Sequence, residues 1–198
     1  MLEVVNWKYS DLENWLKNPS TQESWDYEFK SQIPDSRDDK GKDRLRHEFC
    51  SFANSRGGLV FFGISDDKSI IGLPYNYNFQ TKISDIVGRG IFPPIRNWSL
   101  FHTIQTSNKK KYVHIIQVNE SFYTDKPHMT GHLVYIRENG RCKPIENGLE
   151  LRRIFLLEDN FYPEYIRPVQ EIFGRLRKSY DAHLSLLDTI ILYNLRLY

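Results

Sequence analysis

The chain has 198 residues, 40% of them hydrophobic, with 12 Phe, 12 Tyr and 4 Trp, enough apolar surface for one sizeable core plus a helical appendage and too much for a disordered chain. No apolar run reaches the roughly 18–20 residues that cross a bilayer, and the polar N-terminus lacks a signal-peptide core. Two cysteines, Cys50 and Cys142, are too few for a disulfide scaffold or a cysteine zinc site, so a soluble cytoplasmic protein with no membrane partner is expected.

The net charge of +2 is the sum of −5 over residues 1–39 (nine acids, four bases) and +7 over residues 40–198 (23 bases, 16 acids). A basic body beside an acidic strip suits an enzyme that holds a phosphodiester backbone with cations and a metal with acids. Solvated surface charge produces the same split.

In chain order, Ser10 followed by Asp-Leu-Glu-Asn-Trp-Leu reads as a capped short helix with Trp15 and Leu16 inward. Residues 25–32 alternate, with Trp25, Tyr27 and Phe29 on one side and Asp26, Glu28 and Lys30 on the other, as in a half-buried strand that displays charge on its exposed face. Pro34 to Gly41 is a polar loop. Leu45, Phe49, Phe52 and Ala53 recur at helical spacing between Asp43 and Arg56, and Gly57-Gly58 supplies the stop. Leu59 to Ile64 is a continuous apolar run of strand length, expected in the middle of a sheet, and Asp66 to Ser69 makes a turn before Ile70-Ile71-Gly72.

A helix is expected from Phe79 to Val87, then strands over 98–106 and 111–119 joined by the hairpin Ser107–Lys111. A strand over His132–Glu138 ends at Asn139-Gly140, a hairpin signal, and Leu149–Leu157 is helical. Beyond Pro163 long helical patterns cover 167–180 and 183–196. The order predicts an α+β fold: a mixed β-sheet with packed helices over residues 1–160 and a C-terminal helical tail over 161–198.

Glu23, Glu28 and one of Asp66 or Asp67 stand at the edges of two strands joined by a helix. If those strands are neighbours the acids converge, and convergent acids persist where a divalent cation or a shared proton compensates them. Glu23 and Glu28 are five apart, so both reach one site only if Glu23 precedes the strand. Spacing alone favours exposed strand charges at Glu23 and Glu28 and an ordinary polar turn at Asp66-Asp67. His128 and His132 have metal-ligand spacing but no third ligand close by. Gly57-Gly58 closes a helix instead of opening one, so nucleotide binding there is a weak reading. Lys109, Lys110 and Lys111 lie at one hairpin tip, and Arg137, Arg141 and Lys143 flank another, where they serve phosphate contact or simple solubility.

These motifs together resemble the AlbA-like domain of the Schlafen family. The resemblance runs through Glu23-Ser…Glu28-Phe-Lys30, Ser51-Phe-Ala-Asn-Ser-Arg-Gly-Gly58, Gly63-Ile-Ser-Asp66-Asp67 and Gly72. It continues through Pro93-Pro94, Val113–Val118, Lys126-Pro127 and Tyr135-Ile-Arg137 before Gly140, and covers about residues 20–155. It implies a metal-dependent endoribonuclease that cuts tRNA or similarly structured RNA with Mg²⁺ or Mn²⁺. Glu23, Glu28 and Asp66 would be the catalytic and metal-binding set, with Asp67 in reserve for Asp66. Lys30, Lys109, Lys110, Lys111, Lys126, Arg137, Arg141 and Lys143 are the expected nucleic-acid contacts. Animal Schlafen cores carry two such lobes and a Cys/His zinc site, and this chain has one lobe and too few cysteines. A homodimer through Phe173, Leu176, Leu184, Leu187, Ile190, Ile191 and Leu195 would replace the second lobe. The rival reading is a non-catalytic nucleic-acid-binding or regulatory domain of the same fold.

Overall fold

A computed structural model describes residues 4–18, 21, 26–75 and 78–155. Glu23, the helices expected over 167–180 and 183–196, and the expected dimer contact lie outside the described residues. Met1–Ser121 with Pro127–Pro144 form one compact unit. The described residues of a second unit are 122–126 and 145–155, with a 3₁₀ turn Tyr123–Asp125 and helix α4 (Gly148–Phe155).

The elements of the first unit are α1 (Tyr9–Lys17), β1 (Tyr27–Lys30), α2 (Asp39–Asn54), β2 (Gly58–Phe62), β3 (Leu73–Pro74), α3 (Phe79–Gly88), β4 (Trp98–Gln105), β5 (Lys111–Val118), β6 (Met129–Thr130) and β7 (Leu133–Glu138); β8 (Arg141–Ile145) runs to its edge. The fold is α+β, as expected. The main sheet is mixed, in the order β1-β2-β5-β3 with β4 on the other edge of β5, and β6-β7-β8 form a second sheet. β1 and β2 are parallel, with Glu28 opposite Val60 and Lys30 opposite Phe62, so the two strands joined by a helix are neighbours.

All five residues of β2 are buried, which is why its sequence is apolar without alternation. Leu59 and Phe61 join Leu12, Leu16, Phe29 and Val113 on the α1 side. Val60 and Phe62 join Leu45, Phe49, Phe52 and Ile83 on the side of α2 and α3. The stripe read from the sequence is thus the inner face of α2.

Two helix starts differ from expectation. Ser10 lies inside α1, and the backbone N–H of Lys8 donates to the Asp11 carboxylate at 2.8 Å. α2 begins at Asp39, inside the stretch read as a loop, because Asp38 accepts the Gly41 N–H at 2.8 Å and satisfies one of the donors that a helix start leaves open.

Gly57 ends α2 as expected: its φ is +74°, and its N–H donates to the Phe52 carbonyl at 2.9 Å. Gly58 is needed for a different reason. A Cβ there would enter the Phe52 ring and stand 2.9 Å from the Asp26 carbonyl. Gly58→Ala should therefore cost about 1–3 kcal/mol through overpacking, read as a lower denaturant midpoint at unchanged slope. An unchanged midpoint would mean that Phe52 moves aside freely.

Candidate functional site

β1 is short, and its alternation decides what the site contains. Tyr27 and Phe29 point toward α1, where Trp15 packs on both with ring centroids 5.0 and 6.0 Å away. Glu28 and Lys30 point toward α2. That face was expected to be exposed; instead Glu28 is only 6% exposed, because Arg137 from β7 and Glu48 from α2 close over it.

The result is a quartet of charges. Arg137 Nη2 donates to Glu28 Oε2 at 2.7 Å and its Nη1 to Glu48 Oε2 at 2.5 Å. Lys30 Nζ lies 2.5 Å from Glu28 Oε1 and 3.9 Å from Glu48 Oε1. Arg137 also donates to the Tyr27 carbonyl at 3.1 Å, and its guanidinium lies 4.4 Å from the centre of the Phe52 ring. Burial pushes the Glu28 carboxyl up, but the Lys30 ammonium and the Arg137 guanidinium outweigh it and hold the group below its ordinary value. Glu28 is an ionised carboxylate with both oxygens facing protein cations.

Arg137 therefore corrects an expectation. It flanks the Asn139-Gly140 turn in sequence, but its side chain is 1% exposed and points inward, so it presents no cation to a phosphate at the hairpin surface. Glu48 was missed. A signal existed: it stands three residues after Leu45 and four before Phe52, on the buried stripe of α2.

Beside the quartet, a cleft of about 220 Å³ opens where β1 ends and α2 begins, lined among others by Lys30, Gln32, Asp38, Arg44 and Asp66. The carboxyl ends of parallel strands are where open α/β sheets take ligands. Of the two adjacent acids only Asp66 lines this cleft. Asp67 accepts from the Ser65 hydroxyl, from the Ser69 N–H at 3.0 Å and from the Ser69 hydroxyl at 3.0 Å. Those bonds, that from the Ser65 hydroxyl foremost, hold its carboxyl below the usual range. Asp67 locks the turn that presents Asp66.

Lys30 and Asp66 thus share the cleft, and Glu28 reaches it through Lys30. Among the described residues no three His, Cys, Asp or Glu side chains are grouped to hold a metal ion. Since both Glu28 oxygens face cations already, the described residues do not fit Mg²⁺ or Mn²⁺ by themselves; the expected set also requires Glu23.

The remaining expected contacts lie elsewhere. Lys109 and Lys110 are exposed at the β4–β5 turn, while Lys111 Nζ donates to the Ile71 carbonyl at 2.9 Å. Lys143 pairs with Glu138 at 3.0 Å, Arg141 is exposed at the start of β8, and Lys126 follows the 3₁₀ turn of the second unit. His128 is no metal ligand in this arrangement. Its Nδ1 is 2.7 Å from the Pro93 carbonyl and its Nε2 2.8 Å from Ser121 Oγ, while His132 is exposed.

The family model of the Schlafen AlbA_2 domain matches residues 23–146. A domain match over most of the chain defines its class, and this chain belongs to the Schlafen AlbA_2 family. That ties it to a nucleic-acid-related function, in a family that includes nucleases. Among solved structures it is similar to the DIP2311 protein from Corynebacterium diphtheriae, at 17% identity and a TM-score of 0.46, over 74% of this chain and 28% of that one. The chain thus spans less than a third of that protein's length. No curated protein matches. Among the described residues no helix is long and apolar enough to cross a membrane.

Proposed function

We propose that this chain is an endoribonuclease acting on tRNA or similarly structured RNA, with Glu23, Glu28 and Asp66 as its acids. The observation that carries the reading is the cleft in which Lys30 and Arg44 accompany the exposed carboxylate of Asp66. Phosphodiester cleavage needs cations for the backbone phosphate and an accessible base for the attacking hydroxyl or water. Lys30 and Arg44 supply the first, and Asp66 the second. Dependence on Mg²⁺ or Mn²⁺ belongs to the proposal and requires Glu23. A homodimer formed beyond Pro163 would pair two such clefts on one folded RNA.

The test is incubation of the purified protein with total tRNA, with Mn²⁺ or with EDTA. Wild type should cut only with the cation. Asp66→Asn should lower the rate by about 10²-fold or more, and Glu28→Gln should abolish cutting while RNA binding persists. Cutting that survives EDTA and both substitutions would belong to a contaminant and would sink the reading. A second reading, a non-catalytic nucleic-acid-binding domain, is favoured by the two cations that already hold Glu28. It predicts retention of tRNA with no cleavage under any cation.

A further inference from the structure

At the far end of β5 from the parallel pair, an exposed aromatic stands beside a rigid basic tip. Tyr75, directly after β3, is 54% exposed, and its ring centroid lies 5.2 Å from that of Tyr112 at an interplanar angle of 60°. The pairing of Pro74 with Lys111 and of Leu73 with Tyr112 fixes that approach. Tyr112 is supported from beneath: His114 lies 6.4 Å away in a near-parallel plane, and the buried Phe79 stacks on His114 at 4.2 Å. Of these four rings Tyr75 is the most exposed, Tyr112 is half-buried, and His114 and Phe79 are buried.

The adjoining turn is held by its own hydrogen bonds. Thr106 N–H donates to the Lys111 carbonyl at 2.9 Å and Lys111 N–H to the Asn108 carbonyl at 2.8 Å. Gln105 Nε2 donates to the Lys109 carbonyl at 2.7 Å and to the Tyr112 hydroxyl at 3.2 Å, which ties the tip to the rings. Lys109 and Lys110 project from this frame into solvent.

We infer that Tyr75, with Lys109 and Lys110, is a binding site for unpaired nucleotides, the ring stacking on a base and the lysines taking the adjacent phosphates. An exposed ring beside two lysines carried on a hydrogen-bonded turn matches the alternation of base and phosphate along a single strand. A folded protein ligand would need a larger apolar patch than one tyrosine. The inference rests on the nucleic-acid reading above and adds to it the class of ligand: the unpaired loop of a folded RNA instead of its stem.

The test is fluorescence anisotropy with a labelled single-stranded 12-nucleotide RNA of mixed sequence, and a blunt duplex of the same length, in EDTA so that binding is read apart from cutting. Tyr75→Ala should weaken the single strand about tenfold and leave the duplex unchanged, and Tyr75→Trp should restore the loss. The double variant Lys109→Gln/Lys110→Gln should flatten the salt dependence by about 1.4 in logarithmic slope. Tyr75→Ala gives up a half-exposed ring contact, so the Tyr75 variants should melt within a few degrees of wild type and stay folded in the assay. Wild-type binding that Tyr75→Ala leaves intact, or lowers equally for strand and duplex, overturns this inference alone. Failure of the wild type to bind either RNA overturns the nucleic-acid reading with it.

Discussion

Arg137→Ala is expected to lower the melting temperature by roughly 10 °C at pH 7.5. Its guanidinium is the shared partner of Glu28 and Glu48, and its removal leaves two carboxylates under β7 that share Lys30. Breaking a buried pair from one side costs about 3–5 kcal/mol, and each kcal/mol moves the midpoint of a chain this size by about 2–4 °C. The pH dependence follows from the direction of the Glu28 shift. In wild type its carboxyl is held below its ordinary value, so the stability it contributes is present above the unfolded value and is lost as pH falls through the folded one. In the variant, burial acts on Glu28 with one cation fewer, its carboxyl titrates higher, and protonation relieves the penalty. The gap between variant and wild type should therefore be widest at neutral pH and narrow below about pH 5. Melting curves at both pH values measure it. Adding Glu28→Gln and Glu48→Gln to Arg137→Met should cost less than Arg137→Met alone, since no buried charge is then left unmatched. A variant that melts within about 2 °C of wild type at pH 7.5 would show that the quartet is hydrated.

Much of this arrangement was legible in the sequence, and the limits have physical causes. The apolar stripe of α2 and the unbroken apolar run of β2 gave the layers, because each pattern follows from local geometry. Alternation in β1 set Glu28 and Lys30 on the same side. It could not say that the side is covered, since the cover is Arg137, which reaches Glu28 across 109 positions of sequence. β3 and β6 have two residues each, too few for any period to register. Asp66 and Asp67 were indistinguishable until the hydroxyls of Ser65 and Ser69 took Asp67 into the turn. Glu28 and Lys30 could be read from the period of a regular strand. Glu48 and the inward direction of Arg137 depend on what packs against that strand.

Asn54→Ala should be the second severe substitution, and its reason lies outside catalysis. Asn54 is the last residue of α2 and is 5% exposed. Its Nδ2 donates to the His128 carbonyl at 2.9 Å and to the Tyr135 carbonyl at 2.8 Å, while its Oδ1 accepts the His128 N–H at 2.8 Å. Alanine leaves two carbonyls and one N–H buried without these partners. At about 1–3 kcal/mol for each, less what local rearrangement recovers, the loss is on the order of 3–6 kcal/mol. Asn54→Asp keeps the acceptor, removes both donors and buries a charge, so it should be no milder. The effect should also be directional. Tyr135 precedes Arg137 by two positions on β7, and the Arg137 N–H donates to Ser55 Oγ at 2.9 Å, immediately after Asn54. Releasing this clamp lets β7 leave α2 and draws the guanidinium away from Glu28 and Glu48. Hydrogen exchange measures the sequence of events: the amides of His128 and Arg137 should lose protection in Asn54→Ala, while those of the β2–β5 pairing keep theirs. Uniform loss across the sheet would mean that Asn54 supports the whole fold and holds no particular grip on Arg137. With the expected pattern, the asparagine within Ser51–Gly58 acts as the joint that holds the second sheet over the charged face of β1, so Glu28 keeps Arg137 as one of its two counter-ions only while a side chain at the end of α2 keeps its three hydrogen bonds.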